Sequence, residues 1–305
     1  EEIEMLLPVD IGDYTDFYSS IVHAENAGKM FFGKDHHLTP NWKHLPICYH
    51  GRSSSVIKSG TPVRRPKGQI LDENGQVIYT ATRKLDFELE MGYITTDGYH
   101  LGEPIEINET EEHIFGMVLL NDWSARDIQK WETLPLGPYL SKNFATTISP
   151  WIITMDALEP FRTQGPIQEP KPLPYLQKSG KHTFDIQLSA SIKTEHDVET
   201  EICRTNFKHQ YWTMNQQLAH HTSNGCNLRS GDLFGSGTIS APEPSGYATL
   251  LELAWNETKP ITLNDGSQRT FVQDYDMIIL KGFCANDHVR IGFGECYSKV
   301  LPASK

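Results

Sequence analysis

Strand signals outnumber helical ones along this chain and predict a mainly β domain with a few flanking helices. Runs rich in β-branched and aromatic residues recur through the whole length. In Phe184-Asp-Ile-Gln-Leu-Ser-Ala-Ser-Ile192 apolar residues take every second position, the period of a strand with one buried face. Helical periodicity, by contrast, is confined to two stretches. In order, Lys84–Thr95, His113–Leu120, Trp151–Met155, Thr183–Lys193, Tyr247–Trp255, Asp276–Phe283 and Val289–Cys296 read as strands. Ser124–Trp131 reads as a short amphipathic helix. Asn206–Thr222 reads as a longer one, because Phe207, Tyr211, Met214 and Leu218 repeat at helical spacing, with Thr205 or Asn206 as cap and Gly225 just past the end. The proline-rich residues 160–174 read as an extended surface insertion rather than a linker, since the β pattern resumes unchanged beyond them.

At 305 residues the chain can bury a large core, and its composition is that of an ordinary globular protein. A formal net charge of −12 argues against a nucleic-acid partner, which needs a basic face. It leaves room for an anionic substrate held by a local cationic cluster. The five cysteines (48, 203, 226, 284, 296) are odd in number and contain no Cys-x-x-Cys. That pattern fits free thiols in a reducing compartment, hence a cytoplasmic protein, and no zinc-ribbon site. No apolar run approaches membrane-span length, so no membrane partner is expected. The chain starts without Met, as a fragment would.

Three segments place acids where strand geometry can aim them at one point: Asp13-Tyr-Thr-Asp16-Phe-Tyr18, Glu88-Leu-Glu90 and Asn121-Asp122-Trp123. Residues two apart on a strand share a face, so Glu88 and Glu90 are neighbours. Burying them unpaired costs several kcal/mol or forces protonation, and a divalent cation removes the conflict. By themselves they fit a solvated strand face better. The apolar positions Leu85, Phe87, Leu89 and Met91, with Asp122 ending an apolar run, favour a ligand set instead. Asp16, Glu88, Glu90 and Asp122 would give an all-oxygen site suited to Mg²⁺, Ca²⁺ or Mn²⁺.

Beyond Asp122, Arg126 and Gln129 share a helix face and could steady charge on a carbonyl or carboxylate oxygen. The alternative is a surface Arg pairing with Asp127 or Glu132. His23, seven residues after Asp16, is a plausible base, although nothing local sets it apart from the other histidines. The adjacent pairs His36-His37 and His220-His221 read as structural. Gly231-Asp-Leu-Phe-Gly-Ser-Gly-Thr238 lacks the Lys of a P-loop and reads as a tight turn into a strand. There is no Gly-x-Ser-x-Gly elbow.

Taken together, Asp-Tyr-Thr-Asp-Phe-Tyr, Tyr49-His-Gly-Arg, Leu-Asp-Phe-Glu-Leu-Glu-Met, Phe-Gly-Met-Val-Leu-Leu-Asn-Asp-Trp-Ser-Ala-Arg-Asp, Thr-Thr-Ile-Ser-Pro-Trp and Ser-Gly-Thr-Ile-Ser closely resemble the fumarylacetoacetase family from about Ile11 to Pro302. The resemblance implies a mixed β-roll-like fold, a homodimer, and hydrolytic cleavage of a carbon–carbon bond of a small diketo acid, in the last step of tyrosine and phenylalanine breakdown. It also implies one catalytic domain over residues 1–305, without the small N-terminal β domain of family members. Carried over by position, Asp16, Glu88, Glu90 and Asp122 match the ligands of a divalent cation, Ca²⁺ or Mg²⁺. Lys142 and Thr146 match residues associated with a further cation. His23 matches the general base, and Glu252 the acid that orients it. Arg126, Gln129 and Lys142 match the groups that steady developing negative charge. Tyr18, Tyr49, Gln129 and Thr238 match substrate-cleft positions.

The chain departs from the family pattern in two places. The family usually has Arg where this chain has Phe32, and Tyr where it has Thr133. Both departures bear on substrate recognition, and they keep open a relative acting on another acylpyruvate as hydrolase, decarboxylase or hydratase. A cation-binding scaffold without activity is the non-enzyme alternative. His23 and Glu252 speak against it, since binding a cation requires neither.

Overall fold

The computed structural model describes residues 4–33 and 38–305, with the side chain of Phe32 outside that description. The His36-His37 pair therefore lies outside the described residues. In chain order the principal strands are β1 (Tyr14–Phe17), β2 (Cys48–Gly51), β3 (Val56–Lys58), β4 (Val63–Arg64), β5 (Leu89–Thr95), β6 (Ile114–Asp122), β7 (Thr146–Ile148), β8 (Ile153–Thr154), β9 (Gln187–Lys193), β10 (Glu199–Asn206), β11 (Leu233–Gly235), β12 (Met277–Ala285) and β13 (Arg290–Leu301). The helices that matter for the site are α1 (Ile21–Phe32), α2 (Arg126–Glu132), α3 (Met214–Thr222) and the single turn α4 (Leu250–Leu253).

One mixed sheet runs in the order β2-β1-β11-β5-β6-β7-β3, with β8 also pairing with β6. A second runs β10-β9-β12-β13-β4. Alternation along β5 and β6 explains how the first sheet is packed on both faces. Leu89, Met91, Tyr93, Met117 and Leu119 point into the main core, where they join Leu188, Ala190 and Ile192 of β9 and Leu280 of β12. Ile94, Val118 and Leu120 take the opposite face with Tyr14, Ile148 and Leu233. That second face is the one on which Asp16, Glu90 and Asp122 lie, because Asp16 and Asp122 are two residues from Tyr14 and Leu120, and Glu90 is four from Ile94.

Several predicted elements differ from the structure, each for a local reason. The expected strand Lys84–Thr95 is broken at Phe87-Glu88. Leu85–Asp86 leaves the sheet to pair with Ser124–Ala125, and β5 begins at Leu89. Tyr247–Trp255 forms no strand. Thr249 caps Leu250–Leu253 by accepting the Glu252 amide, and the first two amides of that turn go to the Asp86 carboxylate. The helix expected over Asn206–Thr222 starts only at Met214. Asn206 ends β10 and caps a 3₁₀ turn at Phe207–His209, while Thr213 and Gln216 form the capping box that starts α3. Trp151–Met155 is extended only at β8, then turns into a short helix at Met155–Leu158. Sequence reasoning did not place α1, β2, β3, β4, β7 or β10, and it read as a tight turn the segment that holds β11. Ser20 supplies the N-cap of α1, accepting from the His23 amide.

Candidate active site

Asp16, Glu90 and Asp122 converge, with one carboxylate oxygen of each lying within 4.8 Å of the others. All three are buried. The ladder registers explain the meeting. Asp16 of β1 faces Gly235 of β11, Gly235 faces Gly92 of β5, and Glu90 of β5 faces Leu120, two residues before Asp122. Gly235 faces Asp16 across the ladder, and a Cβ there would crowd Oδ1 of Asp16 and displace that carboxylate.

Each acid uses one oxygen and leaves the other free. Oδ2 of Asp16 accepts from Tyr14 at 2.6 Å. Oε2 of Glu90 accepts from the Gly237 amide at 3.0 Å. Oδ2 of Asp122 accepts from Tyr49 at 2.8 Å and from Lys142 at 2.5 Å. The remaining oxygens, Oδ1 of Asp16, Oε1 of Glu90 and Oδ1 of Asp122, are buried without a partner among the described residues. Burial pushes Glu90 and Asp122 well above the ordinary carboxylate range, and the neighbouring acids add to it; burial raises Asp16 as well. Three buried, mutually repelling oxygens with no donor are a donor set that fits a hard divalent cation.

Glu88 borders this cluster but is not part of the convergent trio. Its oxygens are held by Arg126 Nη1 at 2.7 Å and Lys142 Nζ at 2.8 Å. Burial alone would raise its pKa, yet Lys142 and Arg126 outweigh it and hold the group well below its usual range. Lys142 therefore bridges Glu88 and Asp122, and those two acids more than offset the effect of burial, holding it protonated. Thr146 sits directly across the ladder from Asp122.

On the other side, His23 of α1 places Nδ1 2.7 Å from Oε2 of Glu252. Glu252 also accepts from Asn26 at 2.9 Å, Ser240 at 2.8 Å and Thr249 at 3.1 Å. Burial would raise the Glu252 pKa, but His23 and these donors reverse the direction and keep it ionised. A proton on Nδ1 directed at Glu252 leaves Nε2 of His23 as a base. Tyr18 stands edge-on to His23 with ring centroids 5.4 Å apart.

Arg126 opens α2 and is buried, bound to Asp86 at 2.9 Å and to Gln129 Oε1 at 3.2 Å in addition to Glu88. The alternative of a surface Arg paired with Asp127 or Glu132 does not hold. Its Nη2 is buried without a partner among the described residues, a donor available to an anionic oxygen. Thr133 ends α2, its hydroxyl donating to the Gln129 carbonyl at 2.6 Å. Thr238 follows Gly237 and is buried. A cleft of about 560 Å³ is lined by Tyr14, Tyr49, Arg52, Tyr139 and Lys142; His23 and Glu252 do not line it. Of the second histidine pair, His221 lies 3.4 Å from the Thr15 hydroxyl and stacks edge-on to Phe234, and His220 bonds to Tyr175, so both are packing residues.

Sequence reasoning missed Tyr14, Asn26, Ser240 and Asp86. Tyr14 was visible as the residue two before Asp16, and so on its face. Asp86 was visible as the acid two before Glu88. Asn26 was visible at helical spacing from His23 only once α1 is recognised.

The buried carboxylate trio could hold a divalent cation, and comparison with known proteins gives the class. Residues 14–300 match the model of the fumarylacetoacetate (FAA) hydrolase C-terminal family. The chain belongs to that family. It is 57% identical to the fumarylacetoacetase of Rattus norvegicus and 58% identical to that of Homo sapiens, each over 98% of this chain and 72% of theirs. The fumarylacetoacetase of Arabidopsis thaliana is 52% identical over 99% of this chain. Among solved structures, fumarylacetoacetate hydrolase from psychrophilic Exiguobacterium antarcticum shares the fold with a TM-score of 0.57 at 16% identity, covering 99% of this chain and 79% of its own. Fumarylpyruvate hydrolase from Pseudomonas aeruginosa, in complex with Mn²⁺ and pyruvate, also scores 0.57, at 14% identity, over 96% of this chain and 90% of its own. The family, the mainly β fold and the short helix after Asp122 are those the sequence led us to expect.

Proposed function

We propose that this chain hydrolyses fumarylacetoacetate to fumarate and acetoacetate, with residues 1–305 acting as one catalytic domain. The observation that carries the reading is the pairing of two buried devices that meet at Glu88, whose carboxyl is held down against burial by Lys142 and Arg126 and also by His23. One is a base held by an ionised acid; the other is a set of orphaned carboxylate oxygens flanked by Arg126 and Lys142. Relatives named fumarylacetoacetase, 52–58% identical over nearly the whole chain, support the substrate.

Asp16, Glu90 and Asp122 would hold the cation, Mg²⁺ or Ca²⁺, with Glu88 beside them. When bound, it supplies Lewis acidity toward substrate oxygens. His23 takes a proton from water through Nε2, while Glu252 fixes the ring and stabilises the imidazolium. The hydroxide adds to the carbonyl carbon next to the fumaryl double bond. Arg126, Lys142 and Gln129 stabilise the negative oxygen of the tetrahedral adduct. The bond from that carbon to the adjacent methylene then breaks, and its electron pair passes to the methylene as the enolate of acetoacetate. His23 returns the proton to the former methylene carbon, which becomes the methyl group of acetoacetate. Tyr18, Tyr49 and Thr238 contact the substrate.

We further propose that the protein is a homodimer in the cytoplasm. No helix of the described residues is long and apolar enough to cross a membrane. The test is product analysis by proton NMR after incubation with fumarylacetoacetate and Mg²⁺ or Ca²⁺. Fumarate and acetoacetate in equal amounts support the assignment. An untouched substrate, with another acylpyruvate consumed, replaces it.

A further inference from the structure

Asp86 is fully buried and is not among the residues assigned above to base, charge or cation. Its two oxygens accept four hydrogen bonds. Oδ1 takes the Phe87 amide at 2.9 Å and the Leu250 amide at 2.8 Å; Oδ2 takes the Leu251 amide at 3.0 Å and Nε of Arg126 at 2.9 Å. These partners belong to both halves of the site. Arg126 is the guanidinium offered to the oxyanion. Leu250 and Leu251 immediately precede Glu252 in the single turn α4, whose carboxylate orients His23. A four-residue helix has too few internal hydrogen bonds to hold its own orientation, so the aim of Glu252 depends on what anchors its first amides.

We propose that Asp86 is a positioning residue for catalysis, fixing the base-orienting turn and the oxyanion guanidinium to one carboxylate and so setting their separation. All four acceptor directions of the carboxylate are used, which ties both arms to one rigid group. Asp86 touches none of the three convergent acids, so cation binding does not depend on it directly. The inference rests on the reading of His23 and Arg126 as catalytic.

Asp86→Asn keeps the shape but replaces one acceptor oxygen by an NH₂ group, which opposes either Arg126 and Leu251 or Leu250 and Phe87. Displacing reacting groups by about 1 Å lowers turnover by about 100-fold, so kcat should fall by up to that order while KM and calorimetric Mg²⁺ affinity stay close to wild type. In a double-mutant cycle with Glu252→Gln, the two losses in kcat should combine to less than their product, because both act on the aim of His23. Asp86→Glu, which keeps the charge but moves it outward, should lose kcat in the same way. Wild-type turnover is measured in parallel. If wild type does not act on the substrate, the proposed function fails. If wild type is active and a folded Asp86→Asn keeps its kcat, or the cycle is fully multiplicative, the positioning role fails alone. Failure of both variants to fold also overturns it, since Asp86 would then serve the fold.

Discussion

Replacing Glu252 by Gln removes a charge while keeping the shape of a side chain whose every contact is known. The His23 ring lies 2.7 Å from the carboxylate. At that distance an imidazolium and a carboxylate attract by about 6 kcal/mol at an effective dielectric of ~20. This is an upper limit, because Gln still accepts one hydrogen bond. The lower limit is the difference between a charge-assisted and a neutral hydrogen bond, about 1 kcal/mol. Asn26 donates to Oε1 while Ser240 and Thr249 donate to Oε2. The new NH₂ must therefore oppose Asn26 if the oxygen is to keep facing His23. That arrangement preserves the tautomer, so the loss comes from the missing charge on the imidazolium formed during reaction. At about 1.4 kcal/mol per decade, the two limits bracket a fall in kcat between about 5-fold and about 2 × 10⁴-fold, with KM unchanged. Initial rates of diketone loss, on protein whose circular dichroism matches wild type, decide it. A folded Glu252→Gln with wild-type kcat would refute the role of this pair.

Other predictions follow from the carboxylate trio. Because burial and mutual repulsion raise Asp16, Glu90 and Asp122, protons compete with the cation. Mg²⁺ affinity should rise with pH and binding should release protons, which calorimetry in buffers of different ionisation enthalpy measures. The sign for the metal-free protein is opposite. With folded-state pKa values above the unfolded ones, the trio's contribution is favourable at low pH and is lost as pH rises through the raised values, so added cation should protect most in alkaline buffer. Glu90→Gln should abolish most of the cation-induced rise in Tm and leave the metal-free protein at least as stable as wild type in alkaline buffer; an unchanged cation response removes Glu90 from the site. Gly235→Ala should push the Asp16 carboxylate aside and weaken cation affinity, and unaltered affinity in a folded variant would show that the close approach is not needed.

Much of this was readable in the sequence because alternation is a local property. Asp16, Glu90 and Asp122 lie on strands, so each acid's face follows from apolar residues an even number of positions away: Tyr14, Ile94 and Leu120. Glu88 escaped that logic. The strand breaks at Phe87-Glu88, and Arg126 and Lys142, distant in sequence, draw its carboxylate into ion pairs. The run Leu250-Leu-Glu-Leu253 is made of good helix formers, but a single turn is too short to show a helical period. Its conformation is set by Thr249 and by Asp86, a partner 164 residues away. The start of α3 was placed too early because Phe207 and Tyr211 continue the apolar spacing across a 3₁₀ turn.

The most direct test of the account is the rate of diketone absorbance loss by chelator-stripped protein, with and without Mg²⁺ or Ca²⁺, for wild type and His23→Ala together. The account predicts wild-type turnover only when a cation is restored, and none from His23→Ala even though it binds that cation as tightly. Full turnover by stripped protein, or by His23→Ala, would contradict it.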